Sequence, residues 1–223
     1  MRNEPGGPFT AIVVAGGAPP DAALRRMLPD HDLVVAADSG LHGARALGLE
    51  PHVVVGDMDS VDPAALEAAE RGGATVQRVP SDKDAVDTEL ALHAAVSRGA
   101  RRIVLVTGGG GRLDHAVGVL NCLLHPLLAG REVHALWGDA RVRVLHGPER
   151  AEIRGPVGST VGLLAAGGDA HGVVTDGLRW RLDGDDLPAH STRGVSNELA
   201  SDVATVSLRA GRLLVIQPAA TGH

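Results

Sequence analysis

Residues 102–128, with the sequence RIVLVTGGGGRLDHAVGVLNCLLHPLL, indicate the fold class of this chain. Residues 103–106 are all apolar, so residues 102–106 are predicted to form a buried strand. Four glycines at 108–111 follow, and residues 112–128 are predicted to form one long helix. A fully apolar strand that leads through a turn into a helix is typical of a parallel sheet covered on both faces.

The same alternation runs through the first half of the chain, and it changes in the second half. Strands are predicted at residues 10–15, 33–37, 53–55 and 75–79, and helices at 21–28, 63–71 and 85–98. Seven further short strands are predicted at 133–137, 141–145, 160–165, 173–175, 178–182, 203–208 and 213–217. Regularly spaced short strands favour an antiparallel sandwich or barrel. We therefore expect an α/β domain over residues 9–138 and a β-sandwich domain over residues 139–218.

Composition excludes several classes of protein. The 223 residues include 21 Lys+Arg and 27 Asp+Glu, a net charge of −6, and basic stripes typical of nucleic-acid binders are missing from the sequence. No apolar run approaches the ~20 residues of a membrane span. Cys122 is the only cysteine, and residues 1–10 lack the apolar core of a signal peptide. We expect a cytoplasmic protein without nucleic-acid or membrane partners.

Polar residues crowd the predicted carboxyl ends of the strands, where open parallel sheets bind ligands. Asp57 and Asp59 directly follow a strand, and in an extended segment residues i and i+2 point to the same side. Such a pair could share Mg²⁺, or it could cap the next helix. Residues 82–89 add four carboxylates and the only lysine, Lys83, whose ammonium suits a phosphate contact.

The glycine turn at 108–111 offers backbone N–H groups to a phosphate, and Arg112 could add a bidentate contact. It matches neither the P-loop nor the G-x-G-x-x-G dinucleotide pattern. Asp114 either binds a ligand or caps the helix, and His115 either handles a proton or packs against the sheet. Asn121 falls on roughly the same helix face as Asp114, and its side-chain amide needs a hydrogen-bond partner, which could be a ligand. Alternation over residues 178–182 places Trp180 on an apolar face.

Six segments, taken in chain order, resemble the motifs of the thiamine pyrophosphokinase family. Residues 37–40 are similar to its A-D-S/G-G element, and Pro51 with residues 56–60 is similar to P-x(4)-G-D-F-D-S. The other four are residues 81–89 (D-K-D-x-T-D-T-E), 110–115 with Asn121 (G-G-R-x-D-H…N), 177–180 (G-L-x-W/Y) and 194–197 (G-x-S-N). Met58 stands in place of the family's Phe, and Val86 in place of its Thr.

The resemblance implies Mg²⁺-dependent transfer of a pyrophosphoryl group from ATP, the co-substrate, to the hydroxyl of thiamine, in a homodimer with a shared site. It also revises Trp180 from a core residue to a ligand contact. The implied catalytic residues are Asp57, Asp59, Lys83, Asp87 and Arg112, of which Asp57, Asp59 and Asp87 hold the metal. The implied ATP-binding residues are Asp38, Gly109, Gly110, Gly111, Arg112, Asp114, His115 and Asn121. The implied thiamine-binding residues are Asp84, Asp87, Trp180, Ser196 and Asn197.

Three other functions fit parts of the sequence. Residues 57–61 match the D-x-D-x-[TV] pattern of phosphatases with Asp57 as the nucleophile, but that pattern leaves the glycine turn and the β-rich half unexplained. A pyrophosphokinase for another hydroxymethyl heterocycle would use the same residues. A sensor that binds nucleotide or thiamine diphosphate without turnover would not need the full acidic set.

Overall fold

The computed structural model describes residues 7–82 and 84–218, so Lys83 lies outside the described residues. The chain divides into two compact units. The first contains residues up to Leu123 together with Val133–Gly138, and the second contains Leu124–Glu132 and the residues from Asp139 onward. Within the described ranges, no helix is long and apolar enough to cross a membrane.

The first unit is built on a mostly parallel sheet. Its strands are β1 (Thr10–Val14), β2 (Leu33–Ala37), β3 (Val53–Gly56), β4 (Thr75–Arg78), β5 (Arg102–Thr107) and β6 (Glu132–Trp137), in the order β6-β5-β1-β2-β3-β4. The pairs β5–β1, β1–β2, β2–β3 and β3–β4 are all parallel. Every residue of β1 and β2 is buried, as expected for strands covered on both faces. The predicted α/β class is confirmed.

Among the described residues, four α-helices accompany this sheet: α1 (Gly40–Ala46), α2 (Pro63–Arg71), α3 (Asp87–Ser97) and α4 (Leu113–Leu123). The segment predicted as a helix over residues 21–28 forms a 3-10 helix, Ala22–Met27. Helix α2 begins where predicted because Pro63 suits the first helical position and the Asp62 carboxylate accepts a hydrogen bond from the Ala64 N–H. The prediction of a single helix over residues 112–128 was wrong. Helix α4 ends at Leu123, because Pro126 holds the preceding His125 in an extended conformation, and a short 3-10 helix, Pro126–Leu128, follows.

The second unit is a β-sandwich, as predicted. Its strands are β7 (Ala140–His146), β8 (Glu149–Arg154), β9 (Thr160–Ala165), β10 (Ala170–Asp176), β11 (Asp183–Leu187), β12 (Asn197–Glu198), β13 (Val203–Leu208) and β14 (Arg212–Gln217). Strands β12-β9-β14-β7 are neighbours in one antiparallel layer, and β11-β10-β13-β8 form the other. Leu145, Leu163 and Leu213 from the first layer share one core with Ile153 and Val206 from the second.

The predictions for this unit need correction in two respects. Strands β8, β11 and β12 were missed, because ERAEIR and DGDDL carry mostly charged residues and β12 has only two residues. The strand predicted over residues 178–182 is absent from the described structure, where only an isolated bridge joins Leu178 to Leu199. Leu178 and Leu182 are buried as alternation requires, but Trp180 is 52% exposed. The Asn197 side chain, rather than a neighbouring strand, hydrogen-bonds the backbone of Trp180.

Glycine at the start of α1 allows the helix to approach the sheet closely. A Cβ added at Gly40 would lie 2.2 Å from the Val14 carbonyl oxygen of β1. We expect Gly40→Ala to lower the free energy of unfolding by about 1–3 kcal/mol, since the backbone must move to relieve this overlap. Urea denaturation followed by circular dichroism measures the change.

Gly118 in α4 provides the matched control, because, apart from its chain neighbours and the nearby backbone of its own helix, no atom of the described residues lies within 4 Å of a Cβ added there. Gly118→Ala should stabilise the protein by about 0.5–1 kcal/mol through helix propensity. Equal effects of the two substitutions would contradict the close packing at Gly40.

Candidate active site

A cleft of about 490 Å³ opens at the carboxyl ends of the parallel strands, within the first unit. Its lining comes from the segments that follow β1, β2, β3 and β5 and from the first turn of α3. This is the position at which open α/β sheets bind ligands. The predicted site residues in the lining are Asp38, Asp57, Asp59, Asp87, Gly110, Gly111, Arg112 and His115.

Three carboxylates meet at one end of this cleft. Asp38, Asp57 and Asp59 each offer an oxygen atom, and these atoms lie within 4.8 Å of one another. The sequence predicted the approach of Asp57 and Asp59, but the extended segment assumed for it was wrong. Met58 has φ of 66°, so the chain turns sharply, and the Asp59 N–H donates to Asp57 Oδ1 at 3.1 Å. The Met58 side chain packs against the apolar cluster beneath α2.

Asp38 is the buried member of the group, and its backbone φ is 47°. The Ser60 hydroxyl donates to its Oδ2 atom. Its Oδ1 atom is buried and has no hydrogen-bond partner among the described residues. A buried carboxylate oxygen needs a cation or a donor to offset its loss of hydration. Gly56 makes room for it, because a Cβ there would lie 2.9 Å from Asp38 Cβ.

The donor set of this group fits a hard divalent cation. All of its candidate ligand atoms are carboxylate oxygens, the type that Mg²⁺ prefers, and the group includes Asp38, whose Oδ1 atom is buried without a hydrogen-bond partner among the described residues. Asp87, the first residue of α3, lines the same cleft. Asp84 is exposed and lies outside the described lining.

The glycine turn divides into two pairs with different surroundings. A Cβ at Gly108 would lie 2.4 Å from the Ala18 carbonyl oxygen, and one at Gly109 would lie 2.6 Å from the Trp137 ring. These two glycines therefore allow close packing. Gly110 and Gly111 line the cleft. Only the second pair therefore lines the cleft, where the chain enters α4.

Arg112 and Asp114 form a bidentate ion pair at the start of α4. Arg112 Nε and Nη2 lie 3.1 Å and 2.6 Å from the two carboxylate oxygens of Asp114. The hydrogen bond from Arg112 is the largest cause that lowers the pKa of Asp114 to about 2, and the His115 N–H adds to it. Asn121, at the other end of α4, is exposed and is not part of the described lining.

Sequence reasoning missed the turn after β1 as part of the site. Gly16, Gly17 and Ala18 line the cleft together with Ser39, whose hydroxyl accepts a hydrogen bond from the Gly17 N–H at 3.4 Å. A Cβ at Gly16 would lie 2.8 Å from Ser39 Oγ. The sequence signal is the glycine pair directly after the first predicted strand. In the structure this strand, β1, lies between β5 and β2, so the chain continues to one side of β1 through β2 and to the other side through β5, and open sheets bind ligands at such a point.

The second unit has a smaller cavity of about 260 Å³, lined by Trp180, Arg193, Val195, Ser196 and Asn197. It brings together the three predicted residues of this unit. Asn197 is buried, and its Oδ1 accepts from the N–H groups of Trp180 and Glu198 at 3.1 Å and 2.9 Å. Its Nδ2 donates to the Trp180 carbonyl oxygen at 2.7 Å. Asn197 therefore fixes the backbone that carries the exposed tryptophan.

Comparison with known proteins matches both halves of the chain to domains of one protein family. Residues 24–135 match the model of the thiamin pyrophosphokinase catalytic domain, and residues 146–213 match that of the thiamin pyrophosphokinase vitamin B1 binding domain. Thiamine pyrophosphokinase from Bacillus subtilis is 24% identical over 93% of this chain and 98% of its own length. Thiamine pyrophosphokinase 2 of Arabidopsis thaliana is 28% identical over 78% of this chain and 67% of its own length.

Solved structures support the fold. The crystal structure of the Bacillus subtilis thiamine pyrophosphokinase covers 94% of this chain and 98% of its own, with a TM-score of 0.80 and 24% identity. Thiamin pyrophosphokinase from Candida albicans covers 95% and 89%, with a TM-score of 0.75 and 15% identity. Because family models match most of the chain, in the order of its two units, this chain belongs to the thiamin pyrophosphokinase family.

Proposed function

We propose that this protein transfers the pyrophosphoryl group of ATP to the hydroxyl of thiamine in the presence of Mg²⁺, giving thiamine diphosphate and AMP. The observation that carries the proposal is the cleft in which the carboxylates of Asp38, Asp57 and Asp59 face a glycine turn and Arg112. Family membership supports the substrates. Transfer of this kind depends mainly on positioning and on neutralising phosphate charge.

The proposed metal ligands are Asp57, Asp59 and Asp87, and the structure adds Asp38 as a fourth candidate, because one of its carboxylate oxygens lies within 4.8 Å of those of Asp57 and Asp59. When bound, Mg²⁺ supplies positive charge against the phosphates of ATP and holds them in one orientation. Basic side chains of the protein would also offset the negative charge of the phosphates. Arg112 at the cleft and Lys83 before α3 are proposed to offset the charge that develops as AMP leaves.

The ATP-binding residues proposed from the resemblance fall into two groups in the structure. Gly110, Gly111 and His115 line the cleft with Arg112, and they are proposed to contact phosphate directly. For the others we propose supporting roles: Asp38 lines the cleft as a candidate metal ligand, Asp114 pairs with Arg112, and Gly109 packs against Trp137. Asn121 lies further along α4.

In the proposed reaction, the thiamine oxygen forms a bond to the β-phosphorus while the bond to the oxygen bridging the α- and β-phosphorus atoms breaks. The electron pair of the broken bond leaves with AMP. The hydroxyl proton passes to a carboxylate, for which the sequence left Asp84 and Asp87 open. The position of Asp87 in the cleft favours it, because a general base must lie within reach of the proton.

The thiamine-binding role is proposed for Trp180, Ser196 and Asn197 in the second unit, with Asp84 and Asp87 of the first. An exposed indole suits stacking on a heteroaromatic ring. We propose residues 9–138 as the catalytic, ATP-binding domain and residues 139–218 as the thiamine-binding and dimerisation domain. A homodimer with a shared site and a cytoplasmic location complete the proposal.

Product analysis tests the reaction itself. The protein mixed with ATP, Mg²⁺ and thiamine should yield AMP and thiamine diphosphate in equal amounts, as resolved by liquid chromatography. ADP with thiamine monophosphate would contradict attack at the β-phosphorus. Release of inorganic phosphate from a simple phosphomonoester would instead support a phosphatase that uses Asp57 as its nucleophile.

Replacement of one carboxylate tests the metal assignment. Asp59→Asn should lower turnover by about 10²-fold or more, because it removes charge stabilisation at the phosphates without disturbing packed residues. Asp30→Asn is the control, since it removes an exposed carboxylate outside the described lining of the cleft and should leave turnover unchanged. Near-normal turnover of Asp59→Asn would contradict the assignment.

The ion pair at α4 predicts a measurable titration. The pKa of the Asp114 carboxyl is lowered to about 2, so its charge, and with it the pair to Arg112, persists across the range above that pH. In Arg112→Gln the pKa should rise toward the ordinary Asp value of about 3.9, since the largest cause is removed. Carbon-13 NMR titration measures it. An unchanged pKa would show that the His115 N–H dominates.

A further inference from the structure

Trp180 is held in place although much of its side chain is exposed to solvent. Its backbone belongs to no strand, and both its N–H and its carbonyl oxygen are hydrogen-bonded by the side chain of Asn197, which is 4% exposed. Asn197 is itself fixed, because β12 pairs with β9. The backbone is therefore rigid at this point, but these bonds leave the two side-chain torsions of the indole undetermined.

Arg179 supplies the missing constraint on the ring. Its guanidinium carbon lies 4.8 Å from the centroid of the Trp180 ring, the geometry of a cation–π contact. Glu198 fixes this guanidinium, with Arg179 Nη1 2.8 Å from Glu198 Oε2. The Arg179 N–H also donates to the Glu198 carbonyl oxygen at 2.9 Å. Glu198 thus accepts hydrogen bonds from both the guanidinium and the backbone N–H of Arg179.

Arg179 is not among the described residues that line the cavity beside Trp180. That lining includes Arg193, Val195 and Ser196. One face of the indole is therefore covered by the guanidinium, while the ring remains open to the cavity. A ring that is already ordered loses less entropy when a ligand stacks on it.

We propose that Arg179, held by Glu198, is a positioning residue that orders the Trp180 indole and leaves one face for a stacked substrate ring. This deepens the proposed function and rests on it for the identity of that ring, thiamine. The arginine acts through the tryptophan and needs no contact of its own with the substrate. Substitution of Arg179 should therefore weaken the binding of thiamine. The same substitution should have no effect on thiamine binding once the Trp180 indole has been removed.

Arg179→Gln tests the proposal, with Arg181→Gln as a matched control. The two arginine side chains are 62% and 63% exposed, and both substitutions remove one positive charge. Arg181 Nη1 lies 4.0 Å from Asp176 Oδ1, a longer ion pair than that of Arg179 with Glu198. Arg179→Gln should raise KM for thiamine about two- to fivefold, with kcat and KM for ATP unchanged. Arg181→Gln should change none of the three.

Two further variants separate positioning from a general effect of charge. Arg179→Lys keeps a cation that can lie over the ring and should restore most of the affinity for thiamine. In a Trp180→Leu background, Arg179→Gln should have no further effect on KM, because the arginine then has no ring to order. A full additional loss in that background, or equal losses for Arg179→Gln and Arg181→Gln, would overturn the proposal.

A measurement without substrate keeps this proposal distinct from the proposed reaction. Acrylamide quenching of tryptophan fluorescence in the free protein should increase in Arg179→Gln relative to Arg181→Gln, because one face of the indole is uncovered. Trp137, the other tryptophan in the sequence, contributes equally to both variants. Increased quenching in a protein that makes no thiamine diphosphate would retain the positioning role and reject the reaction. Equal quenching in both variants would overturn the positioning role whatever the reaction proves to be.

Discussion

Repulsion among three neighbouring carboxylates is the constraint on which the proposed site depends. Asp38, Asp57 and Asp59 bring oxygen atoms within 4.8 Å of one another. At that separation, the repulsion between two unit charges costs about 1 kcal/mol at the dielectric constant of water and about 3.5 kcal/mol at the effective value near a protein surface. Asp38 and Met58 also adopt positive φ angles, which non-glycine residues seldom do. A bound cation would offset this repulsion. The strained backbone at Asp38 and Met58 would then serve to position the carboxylates around the cation.

The fold brings these groups together through close approaches that glycine permits. The N–H of Asp38 donates to the Val55 carbonyl oxygen at 2.8 Å, which joins the ends of β2 and β3. Gly56 then passes against Asp38 with no room for a side chain. Gly108 passes Ala18 in the same way at the end of β5. The site is therefore a property of the parallel sheet, since its segments meet only when the strands are in register.

The predicted parts of this structure are those that depend on local pattern. Apolar runs located β1, β2 and β5, and proline located the start of α2. The missed parts depend on contacts distant in sequence. The strand pattern places Asp38 and Asp57 at the same edge of the sheet, but Asp38 was assigned to ATP alone, because the contact between their carboxylates depends on the register that pairs Ala37 with Val55. Trp180 sits in a pattern typical of a strand, but the distant Asn197 side chain takes its backbone bonds.

Divalent-cation binding tests the central claim, that the carboxylate group is a cation site. Mn²⁺ shares the preference of Mg²⁺ for oxygen ligands, and electron paramagnetic resonance measures its free concentration. The account predicts that Asp38→Asn and Asp57→Asn each weaken Mn²⁺ binding at least about tenfold, as loss of a charged ligand should. The substitution Asp30→Asn, at an exposed carboxylate outside the described cleft, should leave the affinity unchanged. Equal affinities in all four proteins, wild type included, would contradict it.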